Sequence, residues 1–536
     1  MGYVWPAMRR LQSIRFVSKK NRPMFTQSIW KDTAPIYNFE TLYNDISADV
    51  AIIGGGVTGI STARLLASKG LKTVVIESLK VGGGTSGHST GNLYVTIDKN
   101  LGVLHDKYDR DTLIKVVESR SQALNRIESW VKELLLDCDF KRQNWNLYSA
   151  TNESDDKIAQ ELEHARQAGL GMKEADPALF PLKISRGITL ADQAQLNPMR
   201  YVQELAKAPG ENMAIYECTR VNEIEESDEG VILKTTGGNV HADYAVMATH
   251  VPKGFDLLQT LLGPYREYGI ACRADNIDFP EGIFWGYHQE GKKISSRLYE
   301  RDGKRYILFI GEPHKVGQSK DNRQHLQVLT DFAREHYGLT EVVYRWGGQH
   351  YRPADLLPYI GRRSQHGRTF VATGFSTDGL VYGTLAAMMI ADEITGTPNP
   401  YTELYNPRRF TPVKSAKNFI SENVNVAATF LKDLPGGADK DAFSDIKAGE
   451  GAVVNYEGQK IAAFRSTENE LHLNSAVCPH LKCIVNWNNA EKTWDCPCHG
   501  SRFSKDGLVL EGPAWGNLSR INFSDDLPEE LDRDKN

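Results

Sequence analysis

The chain has no apolar run long enough to read as a membrane span. Its most apolar long stretch, Leu380 to Ile390, is too short, is followed by Asp392, and reads as a core helix. It has no excess of charge of either sign: a net charge of −5, with 24% charged residues, gives no nucleic-acid-binding signature and no polybasic membrane patch. Cysteine is scarce, at seven in 536 residues. Four of these fall in two short C-terminal motifs, while Cys138, Cys218 and Cys272 stand alone. That spacing excludes the dense disulfide framework of a small secreted domain, and the three isolated residues read as buried thiols. Acids are missing from the whole stretch Met1 to Lys31, which carries Arg9, Arg10, Arg15, Lys19, Lys20, Arg22 and Lys31 before the first acid at Asp32. Such a start has the composition of an organelle presequence; the alternative is an upstream start codon, with Met24 opening the chain. No apolar h-region marks a secretory signal. A cytoplasmic location is expected, or a mitochondrial or other organellar one if residues 1–31 are a presequence. With 40% hydrophobic residues, a chain of this length needs two or three cores.

What is present begins at the C-terminal motifs. Cys478-x-His480 and, further along, Cys496-x-x-His499 supply two thiolates and two imidazoles from two loops. This is the ligand set of a Rieske-type [2Fe–2S] centre, an electron carrier. A four-ligand zinc site is the alternative. Zinc motifs rarely pair Cys-x-His with Cys-x-x-His and place a further cysteine, here Cys483 and Cys498, inside each loop.

Upstream, Asp49 to Ile53 reads as a strand running into Gly54, Gly55, Gly56 and Gly59, then a helix over Ile60 to Lys69 and a second strand, Leu71 to Ile76, that ends on Glu77. Glycines at 54, 56 and 59 allow a tight turn, close approach of a pyrophosphate to backbone N–H groups, and helix-on-strand packing. Glu77, at the usual distance beyond the glycines, is placed to accept from a ribose hydroxyl, which favours FAD or NAD over NADP. The Gly/Ser/Thr-rich Gly82 to Leu93 reads as an irregular loop that packs on a cofactor, or as a flexible surface loop.

Leu101 to Asp137 and Asp155 to Ala168 have helical period and predict a mostly helical insertion. Asp192 to Pro198 leads into a helix at Met199 to Lys207. Strands are expected at Met213 to Cys218, Gly230 to Thr235 and Asp243 to Ala248, the last returning to the dinucleotide sheet. Phe284 to Tyr287, Ser295 to Tyr299 and Arg305 to Ile310 alternate like an antiparallel sheet that would floor a substrate domain. Thr369 to Ile394 reads as a strand, a Gly-rich turn and a helix from about Gly379, whose N-terminus suits an electron-rich ring edge. Pro407 to Asp445 is a polar, helix-containing linker. Short strands at Ala452 to Tyr456, Lys460 to Arg465 and Leu471 to Ser475 suit a small all-β module.

These residues support a family resemblance. Residues 48 to about 405 resemble FAD-dependent oxidoreductases of the D-amino-acid-oxidase and glycine-oxidase type, through "DVAIIGGGVTGISTARLLASKG", Glu77, the Gly/Ser/Thr loop, "LPYIG" at Leu357 to Gly361 and "GFSTDGLVYGTLAA" at Gly374 to Ala387. Residues from about 445 to 523 resemble Rieske domains. The resemblance implies an α/β FAD-binding Rossmann-like domain with an inserted α+β substrate domain, then a small all-β Rieske domain. The expected boundaries are an N-terminal extension, 1–45, and the oxidoreductase, 46–408. Within it, dinucleotide-binding parts lie at about 46–100, 190–255 and 345–408, and the substrate domain at about 101–189 and 256–344. A linker, 409–444, the Rieske domain, 445–525, and an acidic tail, 526–536, complete the chain.

The resemblance also implies residue roles. FAD contacts are expected at Gly54, Gly56, Gly59, Glu77, Ser86, His88, Gly374, Gly379 and Leu380. "TSGHSTGNL" resembles the loop of dimethylglycine and sarcosine dehydrogenases, in which a histidine carries FAD covalently; His88 is either that residue or a histidine packed beside the cofactor. In the Rieske motifs Cys478 and Cys496 would hold one iron and His480 and His499 the other. Cys483 and Cys498 match the disulfide of respiratory Rieske subunits, a bond unusual in a reducing cytosol, with reduced buried thiols the alternative. Ser501 matches a cluster hydrogen-bond donor, while Phe503 stands where high-potential members have tyrosine. The potential is therefore expected in the lower or middle part of the range of about −150 to +300 mV. Alignment on Asp355 to Gly361 puts His350 where glycine-oxidase-like enzymes use a carboxylate-clamping arginine, with Arg352 two residues on. Tyr306, Tyr351 and Trp346 either line an apolar pocket or are core aromatics.

The implied activity is an FAD-dependent dehydrogenase acting on a C–N bond of a small amine or N-substituted amino acid, with electrons leaving singly through the cluster to an acceptor protein or quinone. The alternative is a reductase or electron-transfer component feeding a partner oxygenase or quinone pool. No clear second nucleotide-binding fingerprint supports an NAD(P)H-driven version.

Overall fold

Residues 26–409 and 443–521 are described in the computed structural model. Residues 1–25, most of the Pro407 to Asp445 linker and the tail beyond Ile521 lie outside them. The presequence reading and the linker helix therefore fall almost wholly outside the described residues.

The first sheet is built around the strand Ile46–Ile53, whose last four residues are all buried. A strand buried on both faces reads as a continuous apolar run and pairs in parallel. Ile46–Ile53 lies parallel to Asn239–Met247 on one side and to Thr73–Ile76 on the other. Met213–Tyr216 and Thr369–Thr373 extend the parallel set outward, and the Val221–Glu226 and Val231–Thr235 hairpin hangs from Asn239–Met247. Between the first two strands runs the helix Val57–Ser68, so the crossover places the helix N-terminus at the carboxyl end of the sheet, where open α/β sheets bind ligands.

The second sheet has nine strands and is mixed. The insertion expected to be mostly helical does carry helices Leu101–His105, Arg110–Glu133 and Asp155–Gln167. It also supplies two long strands, Lys141–Ser149 and Arg186–Gln195, that pair with each other. The sequence pattern hides the first of them because its leading half is polar and mostly solvent-facing, and only Trp145 to Ser149 is continuously buried. Asp192 to Gln195, expected as a helix lead-in, is the end of the second strand; the helix proper starts at Pro198. Likewise Asn92–Leu93, inside the loop expected to be irregular, forms a short edge strand. One edge of this sheet is the pair Leu262–Arg273 and Val342–Pro353, which reaches the dinucleotide sheet's carboxyl end.

Ahead of the first sheet, the short helix Ile29–Thr33 is part of the fold. Ile29 and Trp30 are fully buried, and Trp30 packs edge-on to Tyr299 with ring centroids 4.9 Å apart. Its indole N–H donates to Ser89 O at 2.6 Å. The C-terminal module is all β: a three-stranded sheet from Gly451 to Ser475 and a four-stranded one from Asn486 to Glu511. Its core holds Trp494, Phe503, Val485 and the four motif cysteines. Among the described residues no helix is long and apolar enough to cross a membrane.

Candidate flavin and cluster sites

The turn after Ile46–Ile53 accepts no side chains. Gly54 has φ +108°, and a Cβ there would stand 2.6 Å from Ala248 O; a Cβ on Gly59 would stand 1.9 Å from Gly54 O. Gly56 caps the helix Val57–Ser68 without a side-chain bond of its own, and Gly56, Val57 and Thr58 at the helix start line the cavity. Glu77 closes the turn. Its carboxylate accepts from the N–H of Gly55 and of Leu79, each at 2.7 Å, and burial pushes its pKa up.

Gly54, Gly56, Glu77, Ser86, His88, Gly379 and Leu380 line one continuous cavity. Gly59 and Gly374 do not line it. They shape it from behind, Gly59 through the helix–strand contact and Gly374, at φ +78°, against Pro353. Ser86 Oγ accepts from Val57 N at 3.1 Å, which ties the loop to the helix N-terminus. His88 sits in the 3-10 turn Thr85–His88 with Nδ1 2.8 Å from Gly84 O, and burial pushes its imidazole down to about 4. This glycine cradle, an acid lining the cavity and a helix start beside it fit a dinucleotide.

The Leu262–Arg273 and Val342–Pro353 strands form a wall with two chemically different faces. Their register places Tyr265 opposite His350 and Glu267 opposite Gly348. Tyr265 stacks on His350 with centroids 5.9 Å apart, and the Arg352 guanidinium lies 4.0 Å from the Tyr265 ring centre. His350 Nε2 and Arg352 Nε are buried without a hydrogen-bond partner. Asp98, Lys99 and Lys293 supply further charge to this face. Burial alone would raise Asp98, but Lys293, Lys99 and Arg352 hold it down at about 2. Glu267 lines the cavity. Burial, helped by Asp98, pushes it up to about 7 against the pull of Arg352, Lys99 and Lys293. No residue motif marked Glu267; its place follows from the pairing of two strands far apart in sequence.

Of the aromatics expected near substrate, Tyr306 is elsewhere. It packs in a core with Trp30, Tyr299 and Tyr344, accepts from Arg273 at 3.3 Å and does not line the cavity. Its strand position opposite Arg273 puts it at the far end of the sheet from His350. Trp346 lines the cavity and donates to His88 O at 3.1 Å.

Side chains at Arg266, Gln349 and Tyr351, one residue out of phase, take the other face of the wall, as strand alternation requires, and Gln349 and Tyr351 border the cavity from there. There they meet the C-terminal module. Arg266 pairs through Nε and Nη2 with both oxygens of Glu491, and both side chains are buried. Gln349 Nε2 donates to Gly500 O at 2.8 Å, and Tyr351 OH donates to His499 O and Gly512 O, each at 3.2 Å. Removing either partner would leave the other charge buried and unpaired, at a cost of about 3–5 kcal/mol.

At that seat the two motif loops converge. Cys478 and Cys496 are buried together in the module core, and the His480 and His499 rings stand 5.1 Å apart at 84°. Cys483 and Cys498 form a disulfide that ties the loops. Three sulfurs, of Cys483, Cys496 and Cys498, fall within 4.8 Å of one another, but two of them are consumed by that bond. That leaves Cys478 and Cys496 as the free thiols of the two loops, beside the two imidazoles. His499 Nδ1 is buried without a partner, while His480 turns Nε2 outward to Gly254 O at 3.1 Å. Ser501 Oγ accepts from Ala514 N at 3.1 Å. Phe503 is fully buried in the module core.

The fold and these sites define the class: the chain belongs to the FAD dependent oxidoreductase family, whose model matches residues 49–393, and a Rieske [2Fe-2S] domain follows at residues 440–522. It carries FAD and a [2Fe–2S] cluster. Among similar proteins, the Rieske 2Fe-2S iron-sulfur protein YhfW of Bacillus subtilis is 31% identical, over 93% of this chain and 98% of its own length. The gamma-glutamylputrescine oxidoreductase of Escherichia coli is 23% identical over 69% of this chain and 88% of its own. The glycine oxidase structure from Geobacillus kaustophilus superposes with a TM-score of 0.56 at 19% identity, covering 68% of this chain and 99% of that one.

Proposed function

We propose that the protein is an FAD-dependent dehydrogenase that oxidises a C–N bond of a small amine or N-substituted amino acid and delivers electrons singly, through its Rieske centre, to an external acceptor protein or quinone. The observation that carries this reading is the two-faced wall. Tyr351 lines the flavin cavity, and its hydroxyl hydrogen-bonds the backbone of the cluster loop at His499. The relatives named for amine and amino-acid oxidation support the substrate class, and the fused one-electron carrier favours a dehydrogenase over an oxidase.

In this reading Gly54, Gly56 and the start of the Val57–Ser68 helix hold the pyrophosphate, with Gly59 fixing the turn and Glu77 the ribose. Ser86, His88, Gly379 and Leu380 border the rest, and Gly374 shapes the turn before them. Cys478, His480, Cys496 and His499 hold the cluster, with Ser501 as hydrogen-bond donor. When bound, FAD accepts hydride from the carbon beside nitrogen and the cluster passes one electron at a time.

The substrate face holds its own chemistry. Arg352, with a buried free donor, and Lys99 attract an anionic substrate group, and His350 orients it. Glu267 accepts no hydrogen bond from any described residue and borders the cavity, so it is placed to receive an ammonium proton and leave the amine neutral for oxidation. Above about 7 it is a carboxylate and can do so; below, it is already protonated. Anaerobic flavin reduction by an amine is expected to accelerate as pH rises through about 7 in the wild type. Glu267→Gln should lose that limb and slow the step about a hundred-fold. A variant that keeps the limb would remove Glu267 from the reaction.

A further inference from the structure

The Rieske domain does more than sit beside the flavin cavity: Leu510, Glu511, Gly512 and Trp515 line it, together with Arg220, His250 and Lys253 of the oxidoreductase. We infer that this segment of the Rieske domain is a wall of the FAD-binding site, with Glu511 and Trp515 as cofactor-binding residues, so that FAD binding and Rieske docking stabilise each other.

The segment is held over the cavity at three points, and the neighbouring cluster loop at a fourth. Arg220 donates to Val509 O at 3.2 Å, and Gly254 N donates to Pro513 O at 3.1 Å. His480 Nε2 donates to Gly254 O, and Tyr351 OH to Gly512 O. The fit leaves no spare space. A Cβ on Gly254 would stand 2.7 Å from the Trp515 indole nitrogen, and one on Gly512 would stand 2.6 Å from Lys253 Nζ. Two segments that interlock at the level of a methyl group act as one surface.

Glu511 is the residue with capacity to spare. Arg502 Nη1 holds its Oε1 at 2.6 Å, while Oε2 is buried without a hydrogen-bond partner. A buried carboxylate oxygen without a donor is costly, and a ligand hydroxyl or ring N–H relieves that cost. Lys253 and His250 border the same space from the loop after Asn239–Met247, Arg220 from the loop before Val221, and His88 from the Thr85–His88 turn. A ligand that satisfies Glu511 while touching both domains binds only when they are docked, and such linkage is reciprocal.

The test uses the full-length, cluster-containing chain stripped of FAD. Trp515→Ala and Glu511→Gln are each expected to raise the FAD dissociation constant about ten-fold, with the cluster EPR signal unchanged. Glu468→Gln, on an exposed turn of the same module, should leave it alone. In the wild-type chain, adding FAD should slow amide hydrogen exchange across residues 509–515. FAD affinities within about two-fold of wild type in both variants, or exchange at 509–515 indifferent to FAD in the wild-type chain, would overturn the inference. The wild-type exchange measurement decides even if a variant fails to fold. None of these readouts depends on the substrate, so the dehydrogenase reading stands or falls separately.

Discussion

Replacing Cys496 with serine is expected to abolish the [2Fe–2S] centre while the chain keeps its flavin. Cys496 is almost fully buried, beside Cys478 in the Rieske core. A serine hydroxyl is too weak an acid to offer the anionic ligand that iron takes from a thiolate, and its hard oxygen is a poor match for a cluster built on sulfur. The docking contacts do not run through iron. Arg266 with Glu491, Gln349 with Gly500 and Tyr351 with Gly512 stay in place, and so does the disulfide of Cys483 and Cys498. The cluster EPR signal should vanish completely, bound FAD should remain near one per chain, and amine-driven flavin reduction should persist. Delivery of electrons to a one-electron acceptor should then fall by at least about a hundred-fold, more than about 2.7 kcal/mol of barrier. A Cys496→Ser chain that feeds the acceptor at the wild-type rate would separate the cluster from turnover.

Gly59→Ala is expected to be nearly as damaging, at the other cofactor. The added methyl would stand 1.9 Å from Gly54 O and would also press on Ile52. Both obstacles are backbone or core, so neither can swing away. Overpacking of well-packed sites costs about 1–3 kcal/mol, and a clash with a carbonyl belongs at or above the top of that range. Relief requires the Val57–Ser68 helix to move off the strand, which pulls its N–H groups from the pyrophosphate position. Purified variant should contain almost no FAD and melt several degrees lower. Gly70→Ala, at a turn with nothing within 4 Å of its Cβ but with φ +89°, should cost stability without costing FAD.

Much of this architecture is legible in the chain because its chemistry is local in sequence. The strand, glycine turn, helix and acid all lie between Asp49 and Glu77, and the helix from Gly379 announces itself by a continuous apolar run. The proposed cluster ligands come as two short motifs, and the disulfide implied by family resemblance joins Cys483 to Cys498. The wall between the cofactors is not legible. It depends on which residue of Leu262–Arg273 stands opposite which residue of Val342–Pro353, and a shift of one residue would exchange its faces. The charges at Glu267, Asp98 and Lys293 come from three distant segments, and only the folded sheet gathers them. The same holds for Tyr306. In sequence it passes for a pocket residue, but it packs in a core cluster, and pairing with Arg273 carries it to the other end of the sheet.

The seat of the Rieske domain also sharpens what its histidines can do. His480 Nε2 donates to Gly254 O, so this ring is turned toward the oxidoreductase. Leu481 and Leu508 are exposed apolar residues of the same module, at 39% and 55%.

The most direct test of the account is an anaerobic rapid-mixing experiment on the wild-type protein with an amine that reduces it, following flavin absorbance and, by freeze-quench, the reduced-cluster EPR signal. The account predicts that flavin reduction is followed by cluster reduction within the same molecule, at a rate independent of protein concentration. A flavin that reduces while the cluster stays oxidised, or cluster reduction that scales with protein concentration, would contradict it.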